Sequence, residues 1–525
     1  MHCVVGSGPA GVACAQALLA QGLPVRMIDA GLTLEPERST AVEKLRATAP
    51  DTWAPETLAF LKEGMDSTAK GIVLKRVFGS DFPYREADRH IPADYEGTGL
   101  RPSLALGGLS NVWGAAMMPY CDDDLTEWPI HAADLREHYA AVLKFVPLSA
   151  RQDDLAETFP LYTDQFGQLE LSRQSHLLWG RLSSARAALR ATGIDFGASR
   201  LAVKARQGSS EDGCGYTGLC MYGCPLGYIY TSGETVREMQ RRPGFSYEPD
   251  VVVTGLRETG AQVTLEGYRR TGGERWSEIA DRVYLAAGVI PTTRILLASR
   301  GDFERPLYIK DSQYFLFPLL FARRTPGVRD EALHTLSQIF VEVRDPGAEG
   351  RRVHMQLYSF NDLITPALRK ALGPLAFEGL VRQLEDRMMI AQSYLHSDFS
   401  SRVRLTLRAG SEPRLHLCAE INPRTRPAIR ALMRKLLRHA LRLGVAPVWP
   451  MLQVTEPGRG FHSGGTFPMR ASPGPFECDI LGRPHGWERV HAVDSTVFPT
   501  IPSTTITFSV MANSHRIGTL AGRLR

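Results

Sequence analysis

The sequence predicts an α/β fold: a parallel, nucleotide-binding sheet assembled from both chain ends, with an α+β domain that contains an antiparallel sheet set between them. Three observations predict it. Gly6-Ser7-Gly8-Pro9-Ala10-Gly11 lies between two short apolar strands near the start. Tyr284-Leu285-Ala286-Ala287-Gly288 reads as a strand ending in small residues, which returns the chain to the same sheet after a long excursion. Val493-Asp494-Ser495-Thr496-Val497-Phe498-Pro499-Thr500, with a helical pattern from about Thr507 to Arg523, supplies further pieces at the carboxyl end.

Each element has a physical reason. Cys3 to Val5 and Val25 to Ile28 are apolar runs of strand length, and Val12 to Gln21 between them reads as a helix. A G-x-G-x-x-G turn in this strand–turn–helix–strand setting is the dinucleotide fingerprint of a Rossmann-like unit. Gly6 permits the tight turn, Gly8 lets the backbone approach a diphosphate, and Gly11 lets helix and strand pack closely. The diphosphate would sit on the positive amino end of the helix. Asp29 stands 18 residues after Gly11 and suits hydrogen bonding to an adenosine ribose. This unit alone does not choose between NAD and FAD. Leu106 to Gly114, LGGLSNVWG, is a second glycine-rich turn able to turn backbone N–H groups towards a cofactor.

Composition narrows the class. The 525 residues set a prior of roughly three domains. With 43% hydrophobic and 22% charged residues, the chain is ordinary globular protein and not a fibre, a rod or a disordered tail. A net charge of +5 over this length makes no case for nucleic acid. No stretch approaches the roughly 20 apolar residues of a membrane span, and the run Tyr314 to Ala322 is short and broken by Pro318. The opening MHCVVGSG lacks the basic and apolar regions of a signal peptide. Eight cysteines do not suggest a secreted disulfide scaffold. The default expectation is a cytoplasmic protein, with export by a partner subunit or peripheral membrane association left open.

Taken together, GSGPAG, GGLSNVWG, EWPI from Glu127, LAAGVIPTTRILLAS from Leu285, HSGGTFPM from His462 and VDSTVFPTIPSTTITFSVMANSHRI from Val493 resemble the glucose–methanol–choline (GMC) family of oxidoreductases, in the family's order and over nearly the whole chain. The resemblance implies FAD as cofactor, bound by Gly6, Gly8, Gly11, Asp29, Gly108, Asn111, Val112 and Asp494. It places Asn111 and Val112 near the flavin, Asp494 near the ribityl or diphosphate, and a strand around Asp250 to Val253 past the adenine. It implies hydride transfer from an alcohol or sugar carbon to flavin N5, with His462 as the base that takes the hydroxyl proton. An imidazole suits that task near neutrality. The family's second catalytic group, a His or Asn, falls on Thr505, 43 residues after His462, or on Thr504 if the alignment slips by one. Thr is shorter and makes fewer hydrogen bonds, which leaves three accounts open: Thr505 suffices, a middle-domain residue replaces the partner, or the substrate is not a simple alcohol. A plain NAD dehydrogenase leaves HSGGT and VDSTVFPT unexplained.

Cys214, Cys220 and Cys224 form a C-x5-C-x3-C-P pattern within eleven residues, interleaved with glycines. Thiolates so grouped suit iron–sulfur ligation, with N–H···S bonds from a wrapped loop. Zinc would want four ligands, commonly in C-x-x-C pairs. A disulfide plus a free thiol, or a glycine-rich loop with incidental cysteines, are the plainer readings. Three thiolates match a three-iron cluster, with Cys121 and Cys478 as candidates for a fourth ligand, while Cys3, Cys14 and Cys418 read as core. The spacing resembles the cluster loop of FAD-dependent sugar dehydrogenase subunits in the same family, which implies a [3Fe-4S] centre and a cytochrome-like electron acceptor. The rivals are an oxygen-using oxidase with a structural cysteine loop, and a flavin-binding protein that has lost alcohol oxidation.

The expected organisation is an FAD-binding domain over 1–300, a substrate domain over 301–455, and a return to the first domain over 456–525. Segment 33–100 reads as a lid or partner contact, and 211–226 as the cysteine loop. Gln338 to Val343 with Val353 to Tyr358, joined by a turn at Asp345 to Gly350, and Arg402 to Leu407 with Arg414 to Ala419, read as hairpins of one antiparallel sheet over the flavin's substrate side. Tyr394, His396 and Ser397 are candidate substrate residues. Arg426 to Leu443 is an amphipathic, arginine-rich helix, read as an ordinary surface helix before a membrane-surface or acidic-partner one.

Overall fold

The computed structural model describes residues 1–64, 74–206, 212–344 and 350–524. Its centre is a five-stranded parallel sheet in the order Val490–Ala492, Arg282–Leu285, His2–Val5, Val25–Ile28, Phe245–Glu248. Cys3, Val4, Met27, Ile28 and Val283 to Leu285 are fully buried. A sheet covered on both faces takes such unbroken apolar runs. The helix Pro9–Leu19 starts earlier than its apolar pattern, because Pro9 at its first position presets the dihedral and lacks an N–H to satisfy. Against it packs the carboxyl-terminal helix Thr507–Ala521. Gly518 sits where a Cβ would lie 3.1 Å from Cys14 O, and Ser514 Oγ donates to Ala10 O at 2.6 Å. The two chain ends are therefore locked together beneath the nucleotide turn.

Three further sheets surround this layer. Val251–Thr259, Gln262–Arg269 and Arg275–Ala280 form an antiparallel meander. The strands Ser463–Gly464, Pro306–Asp311, Arg402–Arg408, Arg414–Glu420 and Ala93–Glu96 form a mixed sheet, in that order. Val445–Pro447, Tyr314–Phe321, Met388–Leu395, Arg352–Tyr358, Ile339–Arg344 and Ile194–Ala198 form an antiparallel sheet, with Gln453–Val454 paired to Tyr314–Phe321. The two expected hairpins exist, in the registers Ile339↔Leu357 and Leu405↔Leu417, but they lie in different sheets. Alternation identifies a strand and its faces, not the sheet it joins. Of the turn expected at Asp345 to Gly350, residues 345–349 lie outside the described residues, as does Glu211 at the start of the cysteine loop.

The arginine-rich helix divides at His439 into Thr425–Arg438 and Ala440–Leu443. Ala428, Ile429, Leu432, Met433 and Leu436 bury against the large antiparallel sheet, while Arg426, Arg430, Arg434 and Arg438 are exposed. It is an ordinary surface helix. Within 33–100, the helices Pro36–Arg46 and Pro55–Lys62 do not stand free. Val42, Leu45, Trp53 and Leu61 cluster with Leu219 and Tyr222 of the cysteine loop. Phe78 N donates to Tyr222 O at 2.6 Å, and Arg46 Nε to Pro225 O at 3.0 Å. The two helices and Phe78 cover the loop, while residues 65–73 of this segment lie outside the described residues.

Candidate functional site

A long cleft opens at the carboxyl ends of the central strands, where open α/β sheets place their ligands. Gly6, Gly8, Asp29, Gly108, Val251 to Val253, Asp494 and Thr507 all line it. The glycines are there for steric reasons. A Cβ on Gly11 would sit 1.9 Å from Gly6 O, and one on Gly6, at φ +104°, would sit 2.5 Å from Ala286 O. Gly108 faces Gly8 so closely that a Cβ would meet its Cα at 3.4 Å. Three helices, Pro9–Leu19, Val289–Arg300 and Thr507–Ala521, turn amino ends without side-chain caps towards this space. Uncapped amino ends and their dipoles favour a diphosphate, and Arg101 and Arg294 add positive charge to the wall.

Ser7, at a variable position of the fingerprint, ties the pieces together. Its Oγ accepts from Gly107 N at 2.9 Å and donates to Asp29. Tyr247 OH also donates to Asp29, at 3.1 Å. Burial pushes the Asp29 carboxyl up to about 6, with these hydrogen bonds opposing. Asp494 accepts from Gly288 N at 2.9 Å, Thr292 Oγ1 at 2.6 Å and Thr496 N at 2.9 Å. Its carboxylate thus braces the turns that present backbone to the cleft. Asn111 plays a similar part, its Nδ2 donating to Leu106 O at 2.9 Å and Gly108 O at 2.7 Å. Val112 packs with Val77, Phe82 and Ala105. Neither Asn111 nor Val112 is among the residues on the cleft wall, where Gly108 and Leu109 stand instead.

At the other end, Phe461 and Ser463 reach the cleft and His462 turns between them. Its ring stacks on Tyr394, centroids 4.6 Å apart, and Nδ1 is buried with no partner. Burial, then the nearby His354, lowers the imidazole to about 3, so it stands as the neutral, proton-accepting form. The backbone here is fixed: Ser312 N donates to His462 O at 3.0 Å, and Ser463 Oγ to Asp311 Oδ1 at 2.7 Å. Gly464 must be glycine, since a Cβ would lie 2.2 Å from Ser495 O. Thr505 Oγ1 accepts from Met118 N at 2.9 Å, whereas the buried Thr504 Oγ1 has no partner. Of the candidates on the large sheet, Tyr394 faces His462. Ser397 instead latches Ile501, whose N donates to its Oγ at 3.1 Å, and His396 Nδ1 accepts from Asp398 N at 3.1 Å.

The three cysteines line one small cavity with Val203, Leu226, Ile229 and Leu336. Tyr228 N approaches Cys224 Sγ at 3.4 Å, and Thr335 N approaches Cys220 Sγ at 3.4 Å. The amides of Leu226 and Ile229 also serve Cys224, and that of Tyr216 serves Cys214. Burial pushes the Cys214 thiol up to about 12, with Cys220 adding to the rise. Among the described residues, no group of three or more Cys, His, Asp or Glu is placed to hold a single metal ion. Cys121 and Cys478 lie elsewhere. Cys121 Sγ receives Arg352 Nη1 at 2.9 Å, and Cys478 bridges to Met469 and Pro484. Cys3 and Cys14 are core residues, while Cys418 is only half-buried. Sequence reasoning missed Ser7 and the cavity's histidine, His334. The first sits inside a recognised motif; the second belongs to none.

The two regions are joined by one turn. Residues 108–109 line the cleft, and Trp113 Nε1 donates to Tyr230 O at 2.9 Å, beside Ile229 in the cysteine cavity. Lys75 Nζ donates to Trp113 O at 3.1 Å and lies close enough to Cys220 for their charges to interact.

This fold, with its cleft at the sheet's carboxyl edge, is that of an FAD-dependent oxidoreductase. Residues 400–514 match the GMC oxidoreductase family. Pyridoxine 4-oxidase from "Mesorbium loti" superposes with a TM-score of 0.61 at 14% identity, covering 99% of this chain and 98% of that one. A formate oxidase gives 0.59 at 14% identity over 99% and 97%, and a variant of the Aspergillus oryzae formate oxidase gives 0.61 at 13% over 99% and 97%. At such identities the likeness is one of fold. No curated protein matches the sequence. No described helix is long and apolar enough to cross a membrane.

Proposed function

We propose that the protein is a dehydrogenase that oxidises an alcohol or sugar hydroxyl, with residues 1–300 and 456–525 holding FAD and the sheets of 301–455 covering the substrate side. When bound, the flavin supplies a hydride acceptor at N5. The glycine turns at 6–11 and 106–108 and the three helix amino ends hold the diphosphate, and Asp29 takes the ribose. Neutral His462 receives the hydroxyl proton as the carbon–hydrogen bond breaks, so the carbon loses a hydride and a proton and becomes a carbonyl. Tyr394 holds the imidazole plane by stacking. The free hydroxyl of Thr504, beside the engaged Thr505, offers the substrate oxygen a second contact.

Cys214, Cys220 and Cys224 are read as ligands of a [3Fe-4S] cluster, which would carry electrons singly to a redox partner such as a cytochrome. In a cluster each thiolate binds a different iron, so three sulfurs around a cavity suit it although they do not converge on one ion. Amide groups directed at the sulfurs and an apolar wall fit the same group. The observation that carries this reading is the 108–113 turn, which lines the nucleotide cleft at one end and at the other bonds Tyr230, the residue next to Ile229 of the cysteine cavity.

The test is anaerobic purification, with iron and acid-labile sulfide measured against flavin, followed by mixing with a panel of alcohols and sugars. The reading expects both inorganic components and bleaching of the flavin band by at least one substrate. Absence of iron and sulfide from flavin-loaded protein would overturn the cluster. The structural neighbours named as oxidases favour a second reading, an oxygen-using enzyme with a structural cysteine loop. Steady hydrogen peroxide production without added acceptor would decide for it.

A further inference from the structure

The last wall of the cysteine cavity comes from a distant segment, and it brings a histidine. His334 and Leu336 line the cavity together with Cys214, Cys220 and Cys224. Backbone bonds hold this segment against the loop. Gly218 N donates to Leu333 O at 3.1 Å, Thr335 Oγ1 donates to Gly218 O at 3.4 Å, and Thr335 N approaches Cys220 Sγ. His334 is pinned between these two anchored residues. Its side chain is 3% exposed, its ring lies 6.4 Å from that of Tyr216 in the loop, and Nδ1 is buried without a partner. Leaving a buried polar atom unsatisfied costs stability, and no step of the proposed oxidation uses this one. The other two candidates for a fourth ligand are engaged elsewhere, Cys121 by Arg352 and Cys478 in the carboxyl-terminal segment.

We propose that His334 is the fourth protein ligand of this cavity, so that the site takes a four-iron cluster held by three thiolates and one imidazole. The proposal rests on reading the loop as an iron–sulfur site. A cubane needs a donor at its fourth iron, and the loop's thiolates supply three. An imidazole nitrogen serves as such a donor. The three-iron form is then what remains when the histidine-bound iron dissociates. The chemistry balances: one electron from dithionite converts the oxidised three-iron core to [3Fe-4S]⁰, and uptake of Fe²⁺ gives [4Fe-4S]²⁺.

The experiment uses the full-length, flavin-loaded protein purified anaerobically, reduced with dithionite and incubated with ferrous iron. Iron per flavin and low-temperature electron paramagnetic resonance are recorded for wild type, His334→Ala and His334→Cys. Wild type should rise from about three to about four irons per flavin and, on mild reoxidation after the excess iron is removed, fail to regain its oxidised three-iron signal. His334→Cys should do the same, and His334→Ala should keep the three-iron count at unchanged FAD content and regain the oxidised three-iron signal on reoxidation. Pulsed spectra of the reduced wild type should carry a nitrogen coupling that His334→Cys lacks, which decides the matter even if His334→Ala fails to fold. A wild type that takes up no fourth iron, or an alanine variant that takes it up as readily, overturns the ligand assignment alone. Protein with flavin but neither iron nor sulfide overturns the iron–sulfur reading and this proposal with it.

Discussion

The nucleotide cleft takes its walls from Val5 at one end of the chain to Val510 at the other, whereas nine of the eleven residues around the cysteine cavity fall between Val203 and Ile229, leaving only His334 and Leu336 to come from elsewhere. The cleft exists only when distant segments meet, so its critical positions are glycines at crossing points. The cavity is one wrapped loop under a lid of helices, so its critical positions are the cysteines themselves. Damage to the first should therefore cost stability and flavin together, while damage to the second should leave the flavin in place.

The largest expected effect separates chemistry from both scaffolds. His462→Ala should lower turnover by about 10²–10⁴-fold, the usual contribution of a general base, while FAD and iron contents stay at wild-type values. Rapid-mixing measurement of flavin reduction by substrate checks it, and an unchanged rate would mean that another group is the base. Next comes a crossing point. Gly11→Ala forces a Cβ to 1.9 Å from Gly6 O, which neither backbone can yield cheaply. It should cost on the order of 3 kcal/mol and release FAD, seen as a lower urea midpoint and loss of the flavin band. Retained flavin at full stability would show that the turn tolerates more than its geometry allows. Cys220→Ser breaks the other region. Flavin reduction by substrate should persist while reoxidation by a one-electron acceptor slows and iron is lost, and equal slowing of both half-reactions would deny the two regions their separate roles.

The same contrast explains what was legible in the sequence. Gly6 and Gly11 could be read because each has a steric reason that leaves no other residue, 2.5 and 1.9 Å from a carbonyl oxygen. The joining of both chain ends could be read from Cys3 to Val5, Tyr284 to Gly288 and Val493 to Thr500, pieces of one nucleotide-binding fold placed at both ends of the chain, although the strand at 490–492, which holds His491, was not among them. The assignment of both hairpins to one sheet failed because strand patterns are silent about partners. Asn111 and Asp494 were placed by their motif, yet their side chains brace turns, since a motif records that a residue type is required without saying which bonds it makes. His334 carries no local signal: it reaches the cavity because Leu333 pairs with Thr217 and Thr335 bonds to the loop, more than a hundred residues away along the chain.

The smallest expected effect is a flat profile. Burial lowers His462 to about 3, and a base works in its unprotonated form, so acid should disable it only near that value. At pH 5 an ordinary imidazole of pKa about 6.5 would be roughly 3% unprotonated, and one of pKa about 3 roughly 99%. The rate of flavin reduction should therefore hold from pH 8 down to about 5. Stability behaves otherwise. The unfolded chain takes up this proton near its ordinary pKa while the folded chain refuses it, so the contribution is present above about 6.5 and lost as pH falls towards 3. Relative to His462→Asn, wild type should lose urea resistance on acidification even as its flavin reduction rate stays level. An inflection in that rate near 6.5, absent from the variant's residual activity, would place the working imidazole in water rather than against Tyr394, and with it the reacting end of the cleft would prove open.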